Sequence, residues 1–540
     1  MSRTARAVAL ALSLTALSAA PAAAATTVTN ADPAAPGFIV AVAAGTTANN
    51  VTVSFDQATF ELVYADTADT LTAGGTCTND GANEVRCPFA TAQGTDFSLG
   101  GGSDSYTFDN ATLPAGPLPP LDSTVRAGEG ADTVKGSNLG ETILGGGGAD
   151  VLLDGEGGDD VIEGGLGDDR IEGGPDSLST PGPPPGPDQV FGDTVSYESS
   201  GQPIEIFLTD TLIGGNANNG TEGFDTTTGI ENVRGSAFDD SITGTATNDF
   251  GQGGANRLEG LGGVDELEGD PATITPPATG GSDVLLGGPG TDDMNGGGQP
   301  QFNAFGPGAA GDTVDYSDVA GGGVQIRLEP VAGVQHTEPL GLADSGSDTF
   351  EDVEHAIGSE QGDDIAGATR VPGATPFVPP VRSGDNSLRG LGGDDIVRGE
   401  PDGAAPTAGG NDTLAGGAGG DDLSGGPDGF GSGGPSADSV DYASEGDRPE
   451  NQTFAFPGPP TGGPGKTGVT VTLDGTADDG SAFDGQADNV REDVEHVTGS
   501  SSDDVLTGDG DANDLSGFDG NDTLNGEGGD DRLHGGRDAD

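Results

Sequence analysis

The residues in this sequence that could do chemistry are aspartates, and they recur on a fixed step. Read in nines from Gly499, the C-terminal stretch is GSSSDDVLT, GDGDANDLS, GFDGNDTLN and GEGGDDRLH, followed by GGRDAD. Every frame opens with Gly. Position six holds Asp504, Asn513, Asp522, Asp531 and Asp540, and position eight holds Leu506, Leu515, Leu524 and Leu533. A second stretch keeps the nine-residue step through Asp132, Glu141 and Asp150, gains one residue, and resumes at Asp160 and Asp169, where GGLGDDRIE is the cleanest copy. Further copies centre on Asp240, Asp265, Asp283, Asp292, Asp363, Asp395, Asp412 and Asp421, giving roughly twenty motifs in all. Glycines allow a tight six-residue turn with inward carbonyls. The position-six carboxylate adds to that oxygen cluster, a donor set suited to a hard cation.

The elements that must hold these turns follow from the same spacing. Positions seven to nine form a very short strand whose position eight faces the interior. The next motif reverses the chain, so two motifs complete one coil and same-side turns stack about 4.8 Å apart. Calcium takes 6–8 oxygen ligands at about 2.3–2.6 Å, which suits aspartates and glycine carbonyls of adjacent turns. Without the ion, stacked aspartates repel and the thin core cannot offset chain entropy. Ion binding and folding are therefore expected to be one event.

A longer repeat occurs three times between the tracts. It opens on DTVSY (193–197), DTVDY (312–316) and DSVDY (438–442), continues in a period-two strand at 204–208, 324–328 and 469–473, and closes on GIENVRGS (229–236), DVEHAIGS (352–359) and DVEHVTGS (493–500). Tyr197, Tyr316 and Tyr442 read as interior strand residues; exposed, they would be candidates for holding a ligand. His355 and His496, with Asn232 in the matching place, read as hydrogen-bonding side chains at a strand edge. Pro/Gly stretches at 175–188, 270–280, 370–382 and 456–465 read as loops or linkers between units.

The nonapeptides resemble the RTX, or haemolysin-type, calcium-binding repeats, and with the long units they cover most of residues 121–540. The resemblance implies an all-β fold of right-handed parallel β-roll (β-solenoid) segments, calcium in the turns and an extracellular setting. By position, the ligand aspartate carries over to Asp132, Asp150, Asp160, Asp169, Asp240, Asp265, Asp283, Asp292, Asp363, Asp395, Asp412, Asp421, Asp504, Asp522 and Asp531. The expected organisation is array 1 at 121–174, then three pairs of long unit and array at 188–298, 309–426 and 437–540. The long inserts are read as breaks between short rolls, with about eight complete ion sites; one unbroken roll would approach eighteen. Two departures from many members stand out: an N-terminal leader in place of a C-terminal export signal, and a roll whose last motif at Asp540 is expected to lie exposed.

Composition narrows the function. The net charge is -72, from 90 acidic against 18 basic residues, with 102 Gly and no Trp. Such a polyanion is not suited to nucleic acid or an anionic membrane. Residues 1–25, with Arg3 and Arg6 before an apolar run and Ala-x-Ala options, read as a secretory signal peptide, hence a secreted chain. Residues 26–120 read as a small N-terminal β segment, where Val51, Val53 and Phe55 alternate, as do Phe60, Leu62 and Tyr64. In an exported chain the local pair Cys77 and Cys87 reads as a disulfide. No H-E-x-x-H or G-x-S-x-G occurs. Gly465-Lys466-Thr467 lacks the first glycine of a phosphate loop, and Asp509-x-Asp511-x-Asn513 lacks the glycine and glutamate of an EF-hand. The reading is a non-enzymatic, calcium-binding extracellular protein, a surface or matrix component. A calcium-dependent carbohydrate- or ligand-binding module and a β-solenoid hydrolase are the competing readings.

Overall fold

A computed structural model describes residues 26–29, 38–42, 48–68, 70–88, 94–113, 122–174, 192–208, 215–218, 223–245, 255–270, 282–297, 311–319, 322–328, 335–340, 348–351, 353–368, 386–400, 411–426, 438–442, 468–481, 487–537 and 539–540. The leader (1–25), Gly465-Lys466-Thr467, the stretches 175–188, 370–382 and 456–465, and nearly all of 270–280 lie outside the described residues. The chain divides into two compact units, residues 20–304 and 305–540. Both are all-β, with most strands stacked in parallel.

In the first unit, the strands Asp122–Glu129, Glu141–Gly147, Val161–Leu166, Thr194–Ser196, Asn232–Arg234, Arg257–Glu259 and Val284–Leu286 follow one another in one parallel ladder. Its register pairs Ser123 with Glu141, two motifs apart. Strands of the intervening motifs, Thr133–Lys135, Leu152–Asp154 and Arg170–Glu172, form a second ladder. This alternation is the two-motif coil. Position eight supplies the core: Val125, Ile143, Ile162, Val195, Val233, Leu258 and Leu285 stack in register, each at most 1% exposed, with Val134 and Ile171 fully buried in the second ladder beside Leu153, which the extra residue of its motif moves one place on from position eight. The second unit repeats the pattern through Val314, Ala356, Leu388, Leu414, Val440, Val497 and Leu515, all buried.

The Pro/Gly stretches do not end the ladders within a unit. Val161–Leu166 pairs with Thr194–Ser196 across the first insert, and Thr413–Ala418 pairs with Ser439–Asp441 across the stretch after Gly426. At these two junctions the roll continues where the sequence pattern reads as a break. The reason is that DTVSY and DSVDY are themselves motif ends: Asp193 and Asp438 stand at position six, and Val195 and Val440 at position eight.

Each long unit splices antiparallel strands into the second ladder only. Gly323–Arg327, Gln335–Leu340 and Thr349–Glu351 form such a meander. Gly215–Asn218 against Phe224–Thr228, and Val469–Thr472 against Gly480–Ser481, are its counterparts. Meanwhile the first ladder runs on with parallel pairs, for example Thr194–Ser196 to Asn232–Arg234.

The N-terminal segment contains the hairpin Asn50–Asp56 with Glu61–Asp66, extended by Glu84–Pro88. Val51, Val53, Phe55, Leu62 and Tyr64 are buried, whereas Phe60 is 48% exposed because it forms the hairpin turn, at φ +59°. Cys77 and Cys87 are joined by a disulfide. The roll begins inside this segment: Gly94–Ser98 and Ser105–Phe108 already pair in parallel with Asp122–Glu129 and Thr133–Lys135. LGGGSDSYT (99–107) is a motif with Leu99 in place of the first glycine, which hid it from the pattern.

Two substitutions test this core. Ile162→Ala should cost about 2–5 kcal/mol, whereas Val151→Ala, at a side chain 60% exposed, should stay within about 0.5 kcal/mol. Urea unfolding of the calcium-loaded protein measures both. Similar losses at the two positions would contradict the register.

Candidate metal centre

The turns between strands place position six in columns. In each turn, one carboxylate oxygen is spent on the neighbouring coil. Asp132 donates its backbone N–H to Asp150 Oδ1 at 2.9 Å, Asp150 to Asp169 at 2.7 Å, and Asp169 to Asp225 at 2.9 Å. The opposite turns of the same unit follow suit: Asp160 donates to Asp193 at 2.8 Å and Asp193 to Glu231 Oε2 at 2.9 Å. In the later array Asp240 donates to Asp265 and Asp265 to Asp292, at 2.8 and 2.9 Å. The second unit has the series Asp363, Asp395, Asp421 and Asp488, the series Asp412, Asp438 and Glu495, and the series Asp504, Asp522 and Asp540. Asn256 and Asn386 donate to Asp283 and Asp412, and Asn513 to Asp531. All fifteen aspartates named from the sequence therefore stand in such columns.

The columns also contain residues that the motif count passed over. Asp104, Asp193, Asp225, Asp438 and Asp488 accept in the same way, and Glu231, Glu354 and Glu495 reach the preceding aspartate N–H with their longer side chains. The signal for Asp193 and Asp438 was present as the Asp-x-Val opening of the long repeat. Asp225 ends a glycine frame, GTEGFDTTT (220–228), whose position eight is Thr227 rather than an apolar residue, and no glycine opens the frame of Asp488, where position one is Phe483.

The second carboxylate oxygen is what makes a centre. Oδ2 of Asp104, Asp132, Asp150, Asp160, Asp169, Asp265, Asp395 and Asp522 is buried and has no hydrogen-bond donor. A buried anionic oxygen without a partner is strongly disfavoured. It lies over its own turn: a methyl group built on Gly164 would stand 2.6 Å from Asp169 Oδ2. This favours glycine at position one, although Ala127 and Leu99 stand there in the turns of Asp132 and Asp104. In this turn positions two and four take the left-handed backbone, Gly165 at φ +91° and Gly167 at φ +134°.

No three His, Cys, Asp or Glu side chains converge among the described residues. A cation here must draw on turn carbonyls as well as carboxylates, which is the mixed oxygen set that calcium accepts. The orphaned Oδ2 atoms are the observation that the residues fit such an ion.

Burial, reinforced by neighbouring carboxylates, raises these acids. Asp150 and Asp265 are pushed up to about 7, Asp160 to about 8 and Asp395 to about 9. Each is higher in the fold than its ordinary 3.8, so the metal-free fold binds protons more readily than the unfolded chain. The stabilisation by protons is full below about 3.8 and lost as pH rises through about 7 to 9. With a chelator present, lowering the pH from 8.5 to 5 should increase the β signal in circular dichroism. In calcium the same acidification should raise the half-saturating concentration, because protons compete for the carboxylates. A pH-independent metal-free spectrum would contradict the burial of these groups.

The other candidates are structural. Tyr197, Tyr316 and Tyr442 are at most 3% exposed. His355 is buried and held neutral, its pKa lowered to about 4 by burial; its Nδ1 accepts from the Ser387 N–H at 3.0 Å. Asn232 does the same with Oδ1 toward Arg257 and donates Nδ2 to the Gly192 carbonyl.

No curated protein matches the chain. The family model of the RTX calcium-binding nonapeptide repeat (4 copies) matches residues 122–152, 145–177, 225–250, 250–271, 278–299, 382–402, 407–428, 492–517 and 508–540. In their described residues these windows contain glycine turns and short strands of the columns above, while Asp193, Asp363 and Asp438 belong to columns outside them. The chain thus carries RTX calcium-binding nonapeptide repeats in both compact units, and calcium is the ion that such repeats bind.

Proposed function

We propose that this is an exported, non-enzymatic protein that folds as calcium fills its turns, serving outside the cell as a surface or matrix component. The observation that carries the reading is the row of buried Oδ2 atoms without donors. Asp132, Asp150, Asp160, Asp169, Asp265, Asp395 and Asp522 would hold the ions together with carbonyls of the glycine turns. Bound calcium supplies positive charge between carboxylates that otherwise repel. The chain's own part is to fix each carboxylate through Oδ1, so that in the folded turn Oδ2 is aimed and its rotamer set. Export is supported by the leader-like residues 1–25, and an oxidising compartment by the Cys77–Cys87 disulfide.

A ligand-binding reading drew on exposed tyrosines, and the burial of all three removes that support. Among the described residues no helix is long and apolar enough to cross a membrane.

Calcium added to the chelated mature chain should convert it to a β-rich state with a midpoint of about 10⁻⁴–10⁻³ M, and magnesium should not substitute. Circular dichroism across the two titrations measures this. Equal β content with and without chelator at neutral pH would sink the proposal.

A further inference from the structure

The position-six acids are not all left open, and the difference follows the residue at position two. In the turns of Asp104, Asp132, Asp150, Asp160, Asp169, Asp265, Asp395 and Asp522, position two is Gly100, Gly128, Gly146, Glu156, Gly165, Leu261, Leu391 and Phe518, every one at positive φ. In every one of these turns Oδ2 has no donor. Where position two is serine, it is absent from that conformation, and its N–H turns onto the acid instead. Ser236 donates its N–H to Asp240 Oδ2 at 2.5 Å, Ser359 to Asp363 at 2.6 Å and Ser500 to Asp504 at 2.8 Å. Each serine hydroxyl also donates to Oδ1 of the same aspartate, at 2.8, 2.9 and 2.8 Å. Ser137 treats Glu141 alike.

These three Gly-Ser turns are the ones that close the three long units. The entrances are closed by another donor. Tyr197 Oη donates to Asp225 Oδ2, Tyr316 to Asp348 and Tyr442 to Asp488, each at 3.1 Å. Asp225 and Asp488 still accept the amide of the preceding coil through Oδ1, so each ends a column with its second oxygen on a phenol. The next column restarts on an apolar residue: the amides of Ile204, Val324 and Val469 donate to Asp240, Asp363 and Asp504 at 2.9, 2.6 and 2.7 Å.

We infer that position two selects which turns take calcium, and that each long unit is a calcium-free seam closed by a tyrosine on one side and a serine on the other. A left-handed position two points its N–H away and leaves Oδ2 to the ion. A serine there, or a phenol from the long unit, provides the carboxylate with protein donors, and no ion is required. The chain itself shows that a neutral side chain suffices in such turns. Asn256, Asn386 and Asn513 occupy position six where the N–H of Thr245, Ala368 and Asp509 donates to their Oδ1, at 2.6, 2.8 and 3.0 Å. Asp240, Asp363 and Asp504, which hold position six of their frames like the other aspartates, thereby leave the set of calcium ligands.

This inference rests on the reading that open turn carboxylates bind calcium, and one comparison separates the two. Full-length protein carrying D240N/D363N/D504N is set against D150N/D265N/D395N, with calcium per chain measured by equilibrium dialysis and folding by circular dichroism in saturating calcium. The first variant should bind the wild-type number of ions, with a folding midpoint within about twofold. The second should bind fewer ions and need several-fold more calcium. Equal losses in both variants would overturn the seam, while leaving turn carboxylates as ligands. Unchanged binding in both would overturn the ligand reading itself. If the first triple does not reach the wild-type β signal, D240N and D504N singly, one in each compact unit, are read by the same criterion, and a lost ion in either refutes the inference.

Discussion

The fold depends on a single repeated hydrogen bond: a backbone N–H at position six donating to the carboxylate Oδ1 two motifs further on. It fixes the distance between coils at the one place where the strands are interrupted by turns. It also removes side-chain freedom from the aspartate, leaving the other oxygen aimed over the first glycine of its own turn. Ladder, turn and centre are thus one device. Strands of three residues could not set the register alone, since a strand that short offers few ladder bonds. The column of carboxylates carries the register through every turn.

The same device makes the protein self-repelling. Carboxylates are stacked one coil apart and buried, and burial, reinforced by neighbouring carboxylates, drives their pKa values toward neutrality. Among the described residues, ion pairs are seen on the strand faces and at turn positions outside the columns, as between Arg537 and Asp519. Arg327 and Arg398 both reach Asp364 at 2.6 Å, and Arg234 and Arg257 both reach Glu259. With 18 basic residues against 90 acidic ones, charge in the turns must be met by protons, by protein donors or by a cation. The core cannot compensate, because a motif contributes at most about one buried apolar residue at position eight, and Leu533 in the last full motif is 47% exposed.

The long units show how such a roll changes its second ladder without losing the first. They splice an antiparallel meander into one side while Val195 and Val233, or Val440 and Val497, remain directly stacked on the other. At the splice a turn column must stop and restart. The two open carboxylate oxygens created there find a phenol and a serine, and the interior continues through the buried tyrosine ring.

Much of this was legible in the sequence because a nine-residue period maps one-to-one onto turn, strand and core position. The glycine at position one, the aspartate at position six and the leucine or isoleucine at position eight each have a local reason, and the all-β roll follows from them. The three-fold long repeat and its period-two strands were equally visible. What the period could not show is where the ladders continue. Asp193 and Asp438 join their columns across inserts of unrelated sequence, because pairing is set by the coil below and not by chain distance. Nor could it show which aspartates are left open. Asp150 and Asp504 both hold position six after a first glycine, yet Gly146 at φ +101° leaves the second oxygen of one without a donor, and Ser500 turns its amide onto the other. That choice is made by the direction of a single peptide group, which only the folded turn defines.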